Sequence, residues 1–248
     1  MGLVPAMRAI QRAIGMWPPL VALTAVALTS ACTWDGPAGG PVQRDHTVVD
    51  LDKSASTRVR VTMRAGELSV KGGARGLLEA DFSYSVPDWK ATITHDTTAA
   101  ESELTVSQGA GTSPRGKTEN QWQLVLNDAR PLDVVVNVGA GKATLTLGSL
   151  ALRSVDVEIG AGELDVDLRG HPTQSYRVKL HGGVGSATVH LPSAVGISAS
   201  ASGGIGGIDV SGLEKRGDRW VNPRALSSPV TIDLDASGGV GEIKIVAE

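Results

Sequence analysis

Aromatic side chains are nearly missing from this chain: 248 residues hold five Trp, two Tyr and one Phe. A core made almost without them must be filled by Val, Leu, Ile and Ala, and the 31 glycines suit repeated tight turns. There is one cysteine, Cys32, which excludes an intrachain disulfide and a cysteine-based zinc site. The five histidines are scattered without metal-ligand spacing, and no Gly-x-Ser-x-Gly elbow occurs. A basic excess is lacking too. Lys and Arg number 23 against 26 acids, a net charge of −3, which argues against a nucleic-acid partner.

What the chain has is a repeat. Val138-Gly139-Ala140-Gly141-Lys142-Ala143-Thr144-Leu145 recurs as Ile159-Gly160-Ala161-Gly162-Glu163-Leu164-Asp165-Val166, then more loosely at Gly183-Val184-Gly185, Gly204-Ile205-Gly206 and Gly239-Val240-Gly241. Each copy is an alternating strand, a Gly-x-Gly corner and a second alternating strand. The second glycines stand at 141, 162, 185, 206 and 241, so the steps are 21, 23, 21 and 35. That period, with two strands per unit, predicts an all-β, single-stranded β-solenoid. Corner alignment stacks Leu145, Val166, Val189, Val210 and Ile245 in one inward column and Ala143, Leu164, Ala187, Ile208 and Ile243 in another. Outside, it sets Lys142 beside Glu163, Asp156 beside Lys179, Asp167 beside His190 and Asp209 beside Lys244. The long last step predicts a loop projecting at 213–228, and the final rung, Val230 to Val246, is expected to be a sticky edge open to a protein partner or to self-association.

The N-terminus has a different grammar. Arg8 and Arg12 precede an apolar run from Leu20 to Leu28 and then Thr29-Ser30-Ala31-Cys32. A basic start, a short apolar core and small residues form a secretory signal over residues 1–31. Pro18-Pro19 breaks the run, leaving too little for a membrane-spanning helix. The single cysteine sits where a bacterial lipobox needs it, with Thr29 departing from the usual Leu. This resemblance implies diacylation of Cys32, and so a lipid anchor on the extracytoplasmic face of a cell membrane. Residues 32–46, rich in Gly and Pro, are expected to be a flexible tether.

Residues 47–130 carry only weak repeats. Arg58 to Arg64 alternates as a half-buried strand, Gly66-Glu67-Leu68-Ser69-Val70 resembles a degenerate rung, and further strands are expected at Leu78–Val86, Ala91–His95, Glu103–Gln108 and Gln121–Leu126. This is expected to be an irregular β region covering one end of the regular rungs at 131–248, with Trp89 and Trp122 as core plugs. Gly66-Glu67-Leu68, Phe82 to Trp89, Trp122-Gln123-Leu124, Pro131-Leu132-Asp133 and the repeated Gly-Ala-Gly corners, in that order, resemble the toast-rack, or adhesin-like, family of bacterial envelope proteins. The resemblance implies a β-solenoid outside a membrane and no catalytic residues.

Catalytic and cofactor motifs fail on particular residues. A phosphate loop would need glycine at Val136 and Ser or Thr at Ala143. A calcium β-roll needs Asp where Ala187, Ile208 and Ile243 stand. Arg216-Gly217-Asp218 is an ordinary turn tripeptide in the long loop. The remaining candidate is the acidic group Asp156, Glu158, Glu163, Asp165 and Asp167, which with Arg177 and Lys179 could serve a calcium-assisted polysaccharide-active enzyme. A solvated, charge-paired face explains the same residues. The expectation is a non-catalytic envelope lipoprotein for binding, adhesion or stress sensing, with no cofactor and no metal.

Overall fold

The computed structural model describes residues 40–111 and 116–248; the secretory signal, Cys32 and the first part of the expected tether lie outside the described residues. Among the described residues fourteen strands form one sheet: β1 Gln43–Val49, β2 Ser56–Gly72, β3 Leu78–Tyr84, β4 Ala91–Thr97, β5 Glu101–Gln108, β6 Asn120–Leu126, β7 Leu132–Thr146, β8 Leu152–Asp167, β9 Tyr176–Leu191, β10 Gly196–Ile205, β11 Ile208–Ser211, β12 Glu214–Arg216, β13 Arg219–Val221 and β14 Thr231–Ala247. Among the described residues the only helical turns are two short 3-10 pieces, Pro87–Trp89 and Pro223–Leu226.

The long strands are rungs bent at their middle. Gly66, Gly141, Gly162, Gly185, Gly206 and Gly241 all have φ between +131° and +143°, a region open essentially to glycine. They also stack: Gly66 pairs with Gly141, Gly141 with Gly162, Gly162 with Gly185 and Gly185 with Gly241. A Cβ on Gly162 would overlap the carbonyl oxygen of Gly141, and one on Gly241 that of Gly185. Upstream and downstream arms fold towards one another, since the Cδ1 of Ile243 comes 3.3 Å from where a Cβ on Gly238 would be. Between the arms lies one apolar core containing most of the expected columns: Leu145, Val166, Val189 and Ile245 are fully buried, Val210 and Ala187 are half-buried, and Ile208, expected inside, is exposed because its rung is the last of the stack. Turn residues Leu147, Leu150 and Leu168 join the same core.

The rungs stack in parallel in the order β2-β7-β8-β9-β14-β10, with β11 continuing the rung of β10. All four expected outer pairs hold in register: Lys142 with Glu163, Asp156 with Lys179, Asp167 with His190, Asp209 with Lys244. The order corrects the expectation of simple succession. β14 is wedged between β9 and β10, so the C-terminal strand is not an edge; the terminal rung is β10–β11. Charge favours this order. β14 sets Asp233 and Asp235 against Arg177 and Lys179 of β9, where β10 would offer only Ser198 and Ser200.

Three boundaries also shift. β1 starts at Gln43, inside the stretch expected to be tether, because backbone pairing with β3 and the bonds Tyr84 Oη to Asp45 (2.7 Å) and His46 to Asp81 (2.8 Å) hold it. β2 is a complete rung, so the regular stack begins before residue 131. Residues 213–228 do not project freely. They form the β12–β13 hairpin, which pairs on β10, followed by the second 3-10 turn. Trp89 and Trp122 are core plugs as expected, 4% and 1% exposed, with Trp122 edge-on to Phe82 at 5.3 Å.

Candidate functional site

The acidic group does not converge. Asp156 and Glu158 lie on the upstream arm of β8, and Glu163, Asp165 and Asp167 on the downstream arm beyond the corner. Glu163 is engaged by Lys142 at 3.0 Å, and Asp167 by Arg169 at 2.7 Å. The hydrogen bond from Arg169 holds the Asp167 carboxyl below its ordinary range, against the opposing effect of burial. Arg177 is 3.3 Å from Asp233, and Lys179 lies between Asp156 and Asp235. Among the described residues no cluster of His, Cys, Asp and Glu could hold a metal ion. Arg216-Gly217-Asp218 forms the β12–β13 turn, with Gly217 at φ +64° and Arg216 paired to Glu214 at 3.3 Å.

A polar cluster that the sequence did not announce lies in the N-terminal part. The Asp52 carboxylate accepts from the Ser54 backbone N–H (2.7 Å) and hydroxyl (2.5 Å), bonds His95 Nε2 at 2.8 Å and meets Arg130 Nη1 at 3.2 Å. Burial would raise the Asp52 carboxyl, but the hydrogen bonds from Ser54, Ser102 and His95 outweigh it and hold the carboxyl far below its ordinary range. Ser, His and Asp meet here, yet not as a hydrolytic triad. The serine hydroxyl donates to the aspartate instead of to the histidine, and the histidine bonds the other carboxylate oxygen, so the imidazole is not placed to take the serine proton. The cluster clamps the β1–β2 connection to β4 and to the turn before β7.

The two ends of the stack are finished differently. At one end, β5 pairs along Ser56–Thr62 of β2 and β6 along Glu67–Gly72. The corner between is closed by side chains: Gln108 Oε1 accepts from the N–H of Arg64 (2.8 Å) and Ala65 (3.3 Å), and Asn120 Nδ2 donates to the Ala65 carbonyl (2.6 Å). At the other end, β13 covers only Ser198 and Ala199 of β10. From Ser200 to Ser211 the side away from β14 has no strand partner among the described residues.

The corner changes character towards this bare end. Its inward column runs Met63, Val138, Ile159 and then Gly182, Gly238, Gly203. Loss of those side chains leaves an apolar cavity of about 60 Å³ against Ile159, Ala187, Ile243 and Ile208. The outward column runs Ala65, Ala140, Ala161 and then Val184, Val240, Ile205. Ile205 is 74% exposed and Ile208 40%. Sequence reading found these glycines but assigned the edge to the wrong strand.

The family described as the N-terminal domain of toast_rack, DUF2154, matches residues 38–190. A candidate cell adhesion protein from Clostridium sporogenes is 26% identical, with a TM-score of 0.81 over 84% of this chain and 100% of that one. A candidate adhesin from Bacteroides fragilis is 12% identical, with a TM-score of 0.35 over 85% of this chain and 100% of the other. No curated protein matches the chain.

Proposed function

The chain belongs to the toast-rack family, and from that premise we propose that it is a non-catalytic binding module of the bacterial envelope, anchored by lipid at Cys32 and acting in adhesion. Likeness to the candidate cell adhesion protein from Clostridium sporogenes supports the binding role. The carrying observation is how the polar surface is used. Several outer charges pair with their neighbours along the sheet, while an apolar ridge and a length of backbone without a strand partner among the described residues lie at one end. Such a surface recognises by shape and pairing. The basic start, the apolar run and the small residues before Cys32 support export and anchoring.

Two measurements test this reading. Calcium titrated by calorimetry is expected to show no site tighter than about millimolar; a tighter site with cleavage of envelope polysaccharide would replace binding by catalysis. Cys32→Ser is expected to move the protein from the membrane fraction to the soluble fraction, with loss of cell-surface attachment. A variant still wholly membrane-bound would remove the anchor from the proposal.

A further inference from the structure

We propose that the bare edge from Ser200 to Ser211 is a homodimer interface, formed by antiparallel pairing with the same edge of a second copy about a two-fold axis between Ile205 and Gly206. The first support is the direction of the backbone groups. Ile197 donates its N–H to Asn222 Oδ1 (2.9 Å) and its carbonyl accepts from Asn222 N–H (3.4 Å), both away from β14. Alternation along an extended strand turns Ala199, Ala201 and Gly203 the same way. The Gly207 carbonyl accepts from Ile243 N–H (2.9 Å), towards β14, so Ile208 and Val210 point out to the edge. Under the proposed axis Ala201 faces Val210 of the second copy and Gly203 faces its Ile208. Outward-pointing backbone groups therefore meet outward-pointing groups over both arms.

The same register satisfies the side chains. Ala201 and Val210 pack towards the core, and Ile208 leans to within 3.8 Å of where a Cβ on Gly203 would be. Each inward residue thus opposes an inward one, small against large. Ile208 of the second copy comes down beside Gly203, at the mouth of the 60 Å³ corner cavity. On the outer face Asp209 opposes a Ser202 hydroxyl, a donor for its carboxylate. Ile205, 74% exposed on the ridge, lies at the axis and meets its own mate.

Shape selects the second copy over a foreign strand. The edge is bent near its middle, and a two-fold axis bisecting a bend lays upstream arm on downstream arm with both cores on the concave side. A straight strand would cover one arm only. Head-to-tail stacking would need a second open rung, and β2 is covered by β5, β6, Gln108 and Asn120. Self-pairing therefore closes at two copies without starting a filament.

The test is the mass of the full chain in detergent by sedimentation equilibrium. A two-chain mass is expected for the native protein. Ser202→Asp sets a carboxylate against Asp209 of the second copy, twice by symmetry, and is expected to weaken the dimer about tenfold or more in Kd. Ser202→Lys, at the same exposed position, is expected to tighten it. Val210→Pro removes an edge-facing N–H and is expected to give single chains with an unchanged far-UV spectrum. A native single-chain mass, a dimer indifferent to all three substitutions, or an edge taken by a different chain overturns the proposal.

Discussion

At the scale of single residues, two kinds of position carry the stack. The corner glycines are constrained twice, by a positive φ and by the carbonyl beneath them. Gly162→Ala is expected to cost at least about 3 kcal/mol in denaturant unfolding, whereas Ala161→Ser, pointing out from the same corner, is expected to stay within about 0.5 kcal/mol. Equal losses would show that the corner tolerates a side chain. Asp52 is the other kind, a carboxylate 11% exposed at its side chain and bonded by Ser54, His95 and Arg130. Asp52→Asn is expected to cost about 2–4 kcal/mol near neutral pH. Its folded carboxyl is depressed, so its contribution is present above the unfolded value of about 3.9 and is lost as pH falls below it. The native minus variant stability should therefore shrink on acidification from about pH 5; a difference independent of pH would remove the charge from the explanation. Nothing in the sequence pointed to this clamp, whose members His95 and Arg130 lie 43 and 78 residues from Asp52.

At the scale of elements, register was legible and order was not. Gly-x-Gly alignment placed Lys142 against Glu163 and Asp209 against Lys244 correctly, because a slip of one residue would turn every aliphatic outward. It could not rank β10 and β14, because the inward columns of any two rungs fit one another. The overlooked signal was electrostatic: Asp233 and Asp235 answer Arg177 and Lys179, and Arg219 of β13 then bonds both aspartates from the hairpin. β1 was unreadable for another reason. Its residues alternate only between exposed and half-buried, so no apolar stripe marked it. The end cap yields a prediction at this scale. Gln108→Ala strands the N–H groups of Arg64 and Ala65 at a half-buried corner and is expected to cost about 1–3 kcal/mol. Amide exchange should rise at residues 64–65 before it rises in β7; uniform loss of protection would mean that Gln108 acts through general packing.

At the scale of the whole molecule, the stack is a ladder whose two ends have opposite chemistry. The β2 end is sealed by strands and two amide side chains, and the β10–β11 end has no strand partner beyond Ala199 among the described residues. Under the proposed binding role, recognition would be polarised along one axis, with the sealed end fixing the side from which a strand adds. The wedged position of β14 carries a further consequence, for synthesis and export. A chain emerging from its N-terminus completes β9 and then β10 before residues 231–247 exist as a strand. During that interval β10 presents to β9 the same glycine corner that β14 will later bring, in an interchangeable register. A nascent chain can thus rehearse a wrong ladder one rung short, and must unzip it when the last segment arrives. A nonsense codon near residue 230 would consequently not trim the stack from its tip. It would remove a middle rung and leave β10 and its hairpin to dock where they do not belong.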